Sequence, residues 1–340
     1  MRLVANDYGV FLGRKGDRII IKKKGEKVTE VPAGNLSQII IASRGISLSS
    51  DLLRLILKHH IDFVILSGYG APLGRLTSRR GGAINLRKNQ IAAQSNWKGG
   101  HLIKQFSKAK LLNQANLLRS MAKNRRSTKP ALASALEKCS WEILDKVKRI
   151  EALQISENER IRREVISLEA EGAEVYWHGI AELLNGIIEF PGRKKKQDHP
   201  ADLTNILLNY GYGILFSEVW KAIEFTSLEP FAGFLHIDSP RRPALVVDLM
   251  EEFRQPVVDR AVIKVLFEAG GRTSEFLDNG CLTPEGRKSL IQTLIGRFEN
   301  RVTFQERSLP IDIHILLQAR RIAEFLLDRT KEYIPFTVRW

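Results

Sequence analysis

The stretch between D-F-V-I-L-S (62–67) and R-R-G-G-A (79–83) marks a change in the hydrophobic period of the chain. Before it, short apolar runs such as S-Q-I-I-I-A (37–42) alternate with turn sequences such as P-A-G-N (32–35), a pattern typical of β-strands. After it, apolar residues recur every three or four positions, which is the period of α-helices. The sequence therefore predicts an α+β fold with a small β-rich N-terminal domain (residues 1–78), a linker (79–86) and a larger all-α-helical C-terminal domain (87–340).

Helices are predicted in both parts of the chain. One, over residues 50–60, interrupts the strands and has Leu52 and Ile56 on one face. The others are expected near residues 85–125, 130–152, 157–190, 200–225, 244–269, 283–300 and 309–330.

The composition is that of a soluble globular protein. The chain has 340 residues, of which 44% are hydrophobic and 27% are charged. No apolar run approaches the ~18 residues that a membrane-spanning helix needs. The first ten residues include Asp7 and lack the apolar core of a signal peptide. We therefore expect a cytoplasmic protein without a membrane segment.

The net charge of +15 is unevenly distributed. Residues 1–150 contain 29 Lys and Arg against 9 Asp and Glu, and residues 63–136 contain no acidic residue at all. A solvated basic face is one interpretation, but such faces usually alternate charge to gain ion pairs. A polyanion would compensate this self-repulsion, and nucleic acid is the polyanion we favour. The candidate contacts to a DNA backbone are Arg75, Arg79, Arg80, Arg87, Lys88, Lys104, Lys108 and Lys110.

Three distant segments contain side chains suited to a hard divalent metal: Glu169, His236 and Glu251. Carboxylates with one imidazole suit Mg²⁺ or Mn²⁺ better than the thiolate-rich sites that zinc prefers. Glu169 lies beside an apolar stripe that would be buried, whereas Glu171 and Glu174 are alternatives on the same helix. Each residue taken alone has an ordinary structural interpretation, as a surface charge or as a core histidine.

Several neighbours could support such a site. Asp248 precedes Glu251 by three residues, which places both on one helical face, so it could orient a ligand from behind. Tyr176 shares a face with Glu169 and could reach it. Small residues one turn along from Glu169 would leave room for a ligand. Arg254 could hold a phosphate, and Tyr210 could stack on a base or belong to the core.

An ordered set of motifs resembles the CRISPR-associated spacer-acquisition integrase, also called CRISPR-associated endonuclease one. The motifs, in order, are L-E-x-x-x-A-x-x-Y-W (168–177), L-N-Y-G-Y (208–212), G-F-L-H (233–236), R-x-P-A-L (241–245), D-L-M-E-E-F-R (248–254), Q-A-R (318–320) and Y-x-P-F-x-x-R-W (333–340). His236 and Glu251 are fifteen residues apart, as in the pattern of that family. Counting seven residues back from Tyr176 selects Glu169 rather than Glu171.

The resemblance implies a homodimer that works with a small ferredoxin-like partner protein on double-stranded DNA. It also implies that 3′-hydroxyl ends of captured fragments attack the CRISPR repeat by transesterification, with Mg²⁺ or Mn²⁺ held by Glu169, His236 and Glu251. His236 must be neutral to bind a metal, so activity should fall at low pH. Two alternatives stay open: a transposon-encoded integrase that uses the same site, and a non-catalytic DNA-binding scaffold.

Overall fold

The computed structural model describes residues 1–76, 83–155, 157–194, 202–278 and 280–340. Within the first 76 residues lie eight strands and one helix. They are β1 (Arg2–Ala5), β2 (Val10–Lys15), β3 (Arg18–Lys23), β4 (Glu26–Pro32), β5 (Gln38–Ile41), β6 (Ser47–Leu48), α1 (Ser50–Lys58), β7 (Asp62–Leu66) and β8 (Pro72–Leu76).

The strands form two four-stranded sheets. The first has the order β1-β5-β7-β8, in which β8 runs antiparallel to three parallel strands. The second has the order β4-β3-β2-β6. Strand β5 is buried on both faces: Ile39 and Ile41 pack with α1 and the second sheet, whereas Ile40 packs with the helices that follow. The run of three isoleucines reflects this double burial.

Beyond residue 83 the described chain is mainly helical. Its helices are α2 (Ile84–Ala93), α3 (Trp97–Lys123), α4 (Pro130–Ala152), α5 (Asn158–Leu184), α6 (Leu203–Phe225), α7 (Ala244–Met250), α8 (Arg260–Ala269), α9 (Pro284–Glu299) and α10 (Ile311–Leu326). A π-helical turn spans Arg254–Asp259 between α7 and α8. No helix among these described residues is long and apolar enough to cross a membrane.

The predicted α+β class is confirmed, with two additions to the helical region. Short hairpins pair β9 (Leu277–Asp278) with β10 (Cys281–Leu282), and β11 (Arg301–Phe304) with β12 (Arg307–Pro310). Strands of two to four residues are too short to give a detectable period of two. Helix α2 begins at Ile84, within the predicted linker, half of which lies outside the described residues.

Buried charges join the β-rich region to the helices. Arg2 of β1 lies 2.9 Å from Asp312 at the start of α10 and 3.4 Å from Glu218 of α6. Burial alone would raise the pKa of Glu218, but Lys221 and Arg2 lower it to about 2. The two regions therefore share a sheet face and a compensated ion network.

The C-terminal tail is fixed against the π-helical turn by one buried carboxylate. Glu252 accepts hydrogen bonds from the Tyr333 hydroxyl, from the backbone N–H of Phe336 (2.7 Å) and from Gln318 Nε2 (2.8 Å). The Phe336 ring stacks on Phe253 with centroids 4.7 Å apart. Burial raises the pKa of Glu252 to about 7, although the three hydrogen bonds act in the opposite direction.

This pKa predicts a pH-dependent stability that Glu252→Gln removes. The folded protein retains the Glu252 proton up to about pH 7, whereas the unfolded chain loses it near 4.5, so the stability from this group falls as pH rises through that window. The quantity to compare is the free energy of unfolding of the wild type minus that of the variant. It should be up to about 3 kcal/mol larger below pH 4.5 than above pH 7. Denaturant unfolding across the window measures it, and a difference independent of pH would contradict the prediction.

Candidate metal centre

Close packing of α3 against α5 positions Glu169. A Cβ atom added to Gly172 would lie 2.5 Å from a terminal methyl of Leu111, so a larger residue would displace that methyl. The contact brings Glu169 next to two side chains of α3: Ser107 Oγ donates to its Oε2 at 2.5 Å, and Lys110 Nζ donates to its Oε1 at 2.5 Å. The room expected beside Glu169 is thus filled by Leu111 rather than left for a ligand.

Asp248 holds the segment that contains His236. Its carboxylate accepts hydrogen bonds from the backbone N–H groups of Phe234 (2.6 Å), Leu235 (3.0 Å) and His236 (2.9 Å). It also lies 2.7 Å from His236 Nδ1. A proton on Nδ1 leaves the lone pair of Nε2 free to bind a metal. Asp248 therefore fixes both the turn and the tautomer that a ligand histidine needs.

Glu251 follows α7 directly and is enclosed by cations. Its Oε1 lies 3.1 Å from Arg254 Nη2, and its Oε2 lies 3.2 Å from Lys110 Nζ. Burial favours the neutral form, but Arg254 and Lys110 together keep the pKa of Glu251 below its ordinary value. Glu251 is therefore a buried, charged carboxylate that shares the Lys110 ammonium with Glu169.

The donor set fits a divalent cation, although the side chains are not closed around one. Among the described residues, no three His, Cys, Asp or Glu side chains are arranged closely enough to hold a metal ion. The Lys110 ammonium lies between Glu169 and Glu251, which shows that the two carboxylates converge on one cation position. Glu251 Oε2 meets this ammonium at 3.2 Å, so a metal ion would bind there in its place. Burial lowers the pKa of His236, but Asp248, Glu251 and Glu169 raise it overall, and Asp248, which holds the imidazole, lies one helical turn before Glu251.

The two alternative glutamates point away from this position. Glu171 is 45% exposed and pairs with Lys146 of α4 at 2.7 Å, and Glu174 is exposed. Glu169, which is 14% exposed, is the only one of the three that meets Lys110.

Comparison with known proteins identifies the family of this chain. A family model described as CRISPR associated protein Cas1 matches residues 3–295. A CRISPR-associated endonuclease Cas1 of Archaeoglobus fulgidus is 33% identical over 347 residues, covering 100% of both chains. This chain belongs to the Cas1 family. The resemblance predicted from the sequence is thereby confirmed at the level of the family.

Solved structures show the same fold. A casposase bound to its integration product superposes with a TM-score of 0.82 at 22% identity, covering 97% of this chain and 92% of that one. A chain of a Cas6-RT-Cas1–Cas2 complex gives a TM-score of 0.73 at 20% identity, covering 100% of this chain and 36% of that one. At these identities, the similarity shows that the Cas1-family fold is shared.

Two of the predicted nucleic-acid contacts are corrected by the structure. Arg75 is 10% exposed and forms ion pairs with Asp62 of β7 and Glu224 of α6, so it joins elements of the fold. Tyr210 is fully buried, and burial raises its pKa to about 12. A ring with no exposed surface cannot stack on a base, which leaves the core interpretation for Tyr210.

The remaining candidates fall into three groups. Lys110 belongs to the carboxylate site. Lys104 donates to the Glu151 and Leu153 carbonyls, and Lys108 pairs with the Glu151 carboxylate at 2.5 Å. Arg87 and Lys88 of α2 are exposed, whereas Arg79 and Arg80 lie outside the described residues.

Tyr176 lies in a buried network beneath the carboxylates. Its hydroxyl donates to Asp259 Oδ2 at 2.8 Å, and the Tyr212 hydroxyl donates to Asp259 Oδ1 at 2.6 Å. Arg254 lies over the Tyr212 ring, 4.9 Å from its centroid, and reaches Glu251. Tyr176 therefore connects to the site through Asp259 and Arg254 rather than through Glu169.

Sequence reasoning missed Ser107, Asp259 and the position of Lys110 between the carboxylates. Ser107 and Lys110 are three residues apart on one face of α3, but nothing in a single sequence links that face to Glu169, about 60 residues away. The only local signal was the pair of glycines in α5, Gly172 and Gly179, which both face Leu side chains of α3.

Replacing Lys110 by methionine should destabilise the metal-free protein. The change keeps the apolar stem but leaves Glu169 and Glu251 without their shared counter-charge. Breaking a buried ion pair in this way costs about 3 kcal/mol. Denaturant unfolding in EDTA measures the loss. Lys108→Met is the matched control, because this more exposed lysine on the same helix should contribute at most about 1 kcal/mol. Equal losses in the two variants would contradict the prediction.

Proposed function

We propose that this protein is a metal-dependent DNA integrase and endonuclease of CRISPR adaptation. It joins the 3′-hydroxyl ends of captured DNA fragments to the CRISPR repeat by transesterification. Membership of the Cas1 family and relatives named as endonucleases support the class of activity. The observation that carries the proposal is the convergence of Glu169 and Glu251 on one cation position, with His236 beside them.

Glu169, His236 and Glu251 are the residues that would hold Mg²⁺ or Mn²⁺. When bound there, the ion would polarise the attacking hydroxyl and neutralise charge on the phosphate. Lys110 competes for the same carboxylate oxygens and keeps them assembled without metal. Asp248 holds the proton on His236 Nδ1 and thereby presents Nε2.

Arg254 is the residue best placed to hold a phosphate beside the carboxylates. Its guanidinium is fixed between Glu251 and the Tyr212 ring, and its side chain is still 23% exposed. An arginine held in this way can donate to phosphate oxygens without first being ordered. Binding and orientation of the scissile phosphate are therefore assigned to Arg254.

We also propose the partners of the protein. Double-stranded DNA is the substrate, and a small ferredoxin-like protein completes a complex in the cytoplasm; a solved relative of the same fold is titled as a complex that includes Cas2. The β-rich region forms a homodimer. Val28 on edge strand β4 is 62% exposed and Leu73 on edge strand β8 is 71% exposed, which favours protein contacts at these edges.

Alanine substitution of Glu169, His236 or Glu251 should each reduce strand joining roughly 100-fold or more, because each removes a group that stabilises charge in the transition state. The assay incubates a labelled DNA fragment with a repeat-containing plasmid and Mn²⁺ and counts joined products. Glu171→Ala is the matched control, since Glu171 lies on the same helix but pairs with Lys146 on the surface.

The same assay separates the alternatives. Unchanged joining by all three alanine variants would show that these residues do not carry the reaction, and DNA binding by the wild type without any joining would support a non-catalytic scaffold. Joining that ignores the repeat and depends on the sequence of the fragment ends would support a transposon-type integrase, as the casposase fold also allows.

Activity should fall on acidification with a midpoint above the ordinary histidine value. Burial lowers the pKa of His236, but Asp248, Glu251 and Glu169 raise it above 6.5 overall, so the imidazole is protonated at a higher pH than usual. Protons and metal compete for Nε2, so added Mn²⁺ should shift the acidic limb to lower pH. The measurement is the rate of strand joining against pH at several Mn²⁺ concentrations. An acidic limb that does not move with Mn²⁺ would exclude His236 as a ligand.

A further inference from the structure

A cleft of about 670 Å³ opens at the C-terminal end of α3, away from the carboxylates. Helix α8 and the last turns of α9 form its other walls. Arg125, Arg260 and Arg297 all line it, and we call it the arginine cleft. None of the candidate metal ligands borders it.

The three arginines are held by uncharged groups. Arg125 donates to the Met121 carbonyl at 3.1 Å and lies 4.8 Å from the centroid of the Phe267 ring. Arg260 donates to Ser120 Oγ at 3.1 Å and lies over the Trp340 ring. Arg297 donates twice to the Pro256 carbonyl, at 2.9 and 2.7 Å.

No carboxylate within the described part of the chain forms an ion pair with any of these three arginines. Burial lowers the pKa of all three, and for Arg297, with the charge of Arg260 added, to about 10. The acidic residue in the cleft wall, Glu268, is exposed and pairs with Lys264 at 3.6 Å.

Three other partly buried arginines differ from those of the cleft in having acidic partners. Arg2, Arg75 and Arg254 each meet at least one carboxylate. Uncompensated cations in a recess carry a desolvation penalty that an anionic ligand would offset. Each guanidinium also has five N–H donors, and Arg125 and Arg260 each use only one nitrogen in hydrogen bonds to the protein.

We propose that the arginine cleft binds phosphate groups of a nucleic-acid backbone, as a second anchoring point for the substrate. The inference rests on the proposed function, because it takes DNA as the ligand. Asn124, the C-cap residue of α3, lines the cleft and lies fourteen positions beyond Lys110, a distance of about 20 Å at 1.5 Å per residue. This corresponds to roughly six nucleotides at 3.4 Å per nucleotide. The contacts fix the position of the strand and do not distinguish sequences.

The test is the salt dependence of DNA binding by Arg125→Gln, Arg260→Gln and the double variant. Affinity for a labelled DNA duplex, and for a single strand of the same sequence, is measured in EDTA at several salt concentrations. Each lost phosphate contact should reduce the slope of log affinity against log salt by about 1, and the double variant should lose about 2. A reduced slope in the variants, on either the duplex or the single strand, supports the proposal.

Arg126→Gln is the matched control, since this neighbouring arginine pairs with Glu137 at 2.7 Å and should leave the slope unchanged. Thermal unfolding checks each variant. Should Arg260→Gln prove unfolded, Arg125→Gln alone decides, because the side-chain hydrogen bonds of Arg125 to the described residues go only to Met121, four residues earlier. Slopes equal to that of the wild type on both DNAs overturn the proposal.

The result is separable from that of the integration assay. Binding in EDTA involves no strand joining, so a protein that binds through the arginine cleft but joins no DNA refutes the proposed function only. A protein that joins DNA with unchanged salt slopes in the cleft variants refutes the cleft only.

Discussion

Two buried carboxylates that face one position need a cation between them, and the helical region is arranged around this requirement. Glu169 comes from α5 and Glu251 from the turn after α7, and Lys110 of α3 reaches both. Without the ammonium, the like charges would repel in a medium that screens them poorly. The contact of Gly172 with Leu111 sets the spacing of α3 and α5 that makes the shared cation possible. The packing of α3 against α5 and the charge balance of the site therefore depend on each other.

The same constraint explains the second buried carboxylate network. Glu252 is adjacent to Glu251 but is turned to the opposite side, where it accepts hydrogen bonds from the C-terminal tail and no cation pairs with it. Neighbouring glutamates thus have opposite environments: Arg254 and Lys110 keep the pKa of Glu251 low, and burial raises that of Glu252. The tail is thereby attached to the backbone that carries Glu251.

The sequence predicted those features of the fold that depend on the local period of hydrophobic residues. The change of period near residue 79 separated strands from helices, and the isoleucine run of β5 was predicted as a strand, although its burial on both faces appears only in the structure. The hairpins β9–β10 and β11–β12 were missed because so few residues cannot show a pattern. The role of Lys110 was missed because it depends on contacts between α3 and two distant segments, and a lysine in a basic stretch looks like any other.

The basic stretch illustrates the limit of arguments from local charge. Residues 63–136 lack acidic residues, so none of their cations can form an i,i+4 pair within the stretch. The fold nevertheless supplies Glu151 to Lys108, Glu169 to Lys110 and Asp328 to Lys98. Much of the apparent excess of positive charge is therefore neutralised by carboxylates of the same molecule. Not all of these cations can be counted as a surface that binds a polyanion. Arg125, near the end of the stretch, forms no ion pair with a carboxylate of the described residues, and it lines the arginine cleft together with Arg260 and Arg297 from later in the chain. This separation has a physical reason: uncompensated cations beside Glu169 and Glu251 would repel a divalent metal, whereas the same cations about 20 Å away are mostly screened from it at physiological salt.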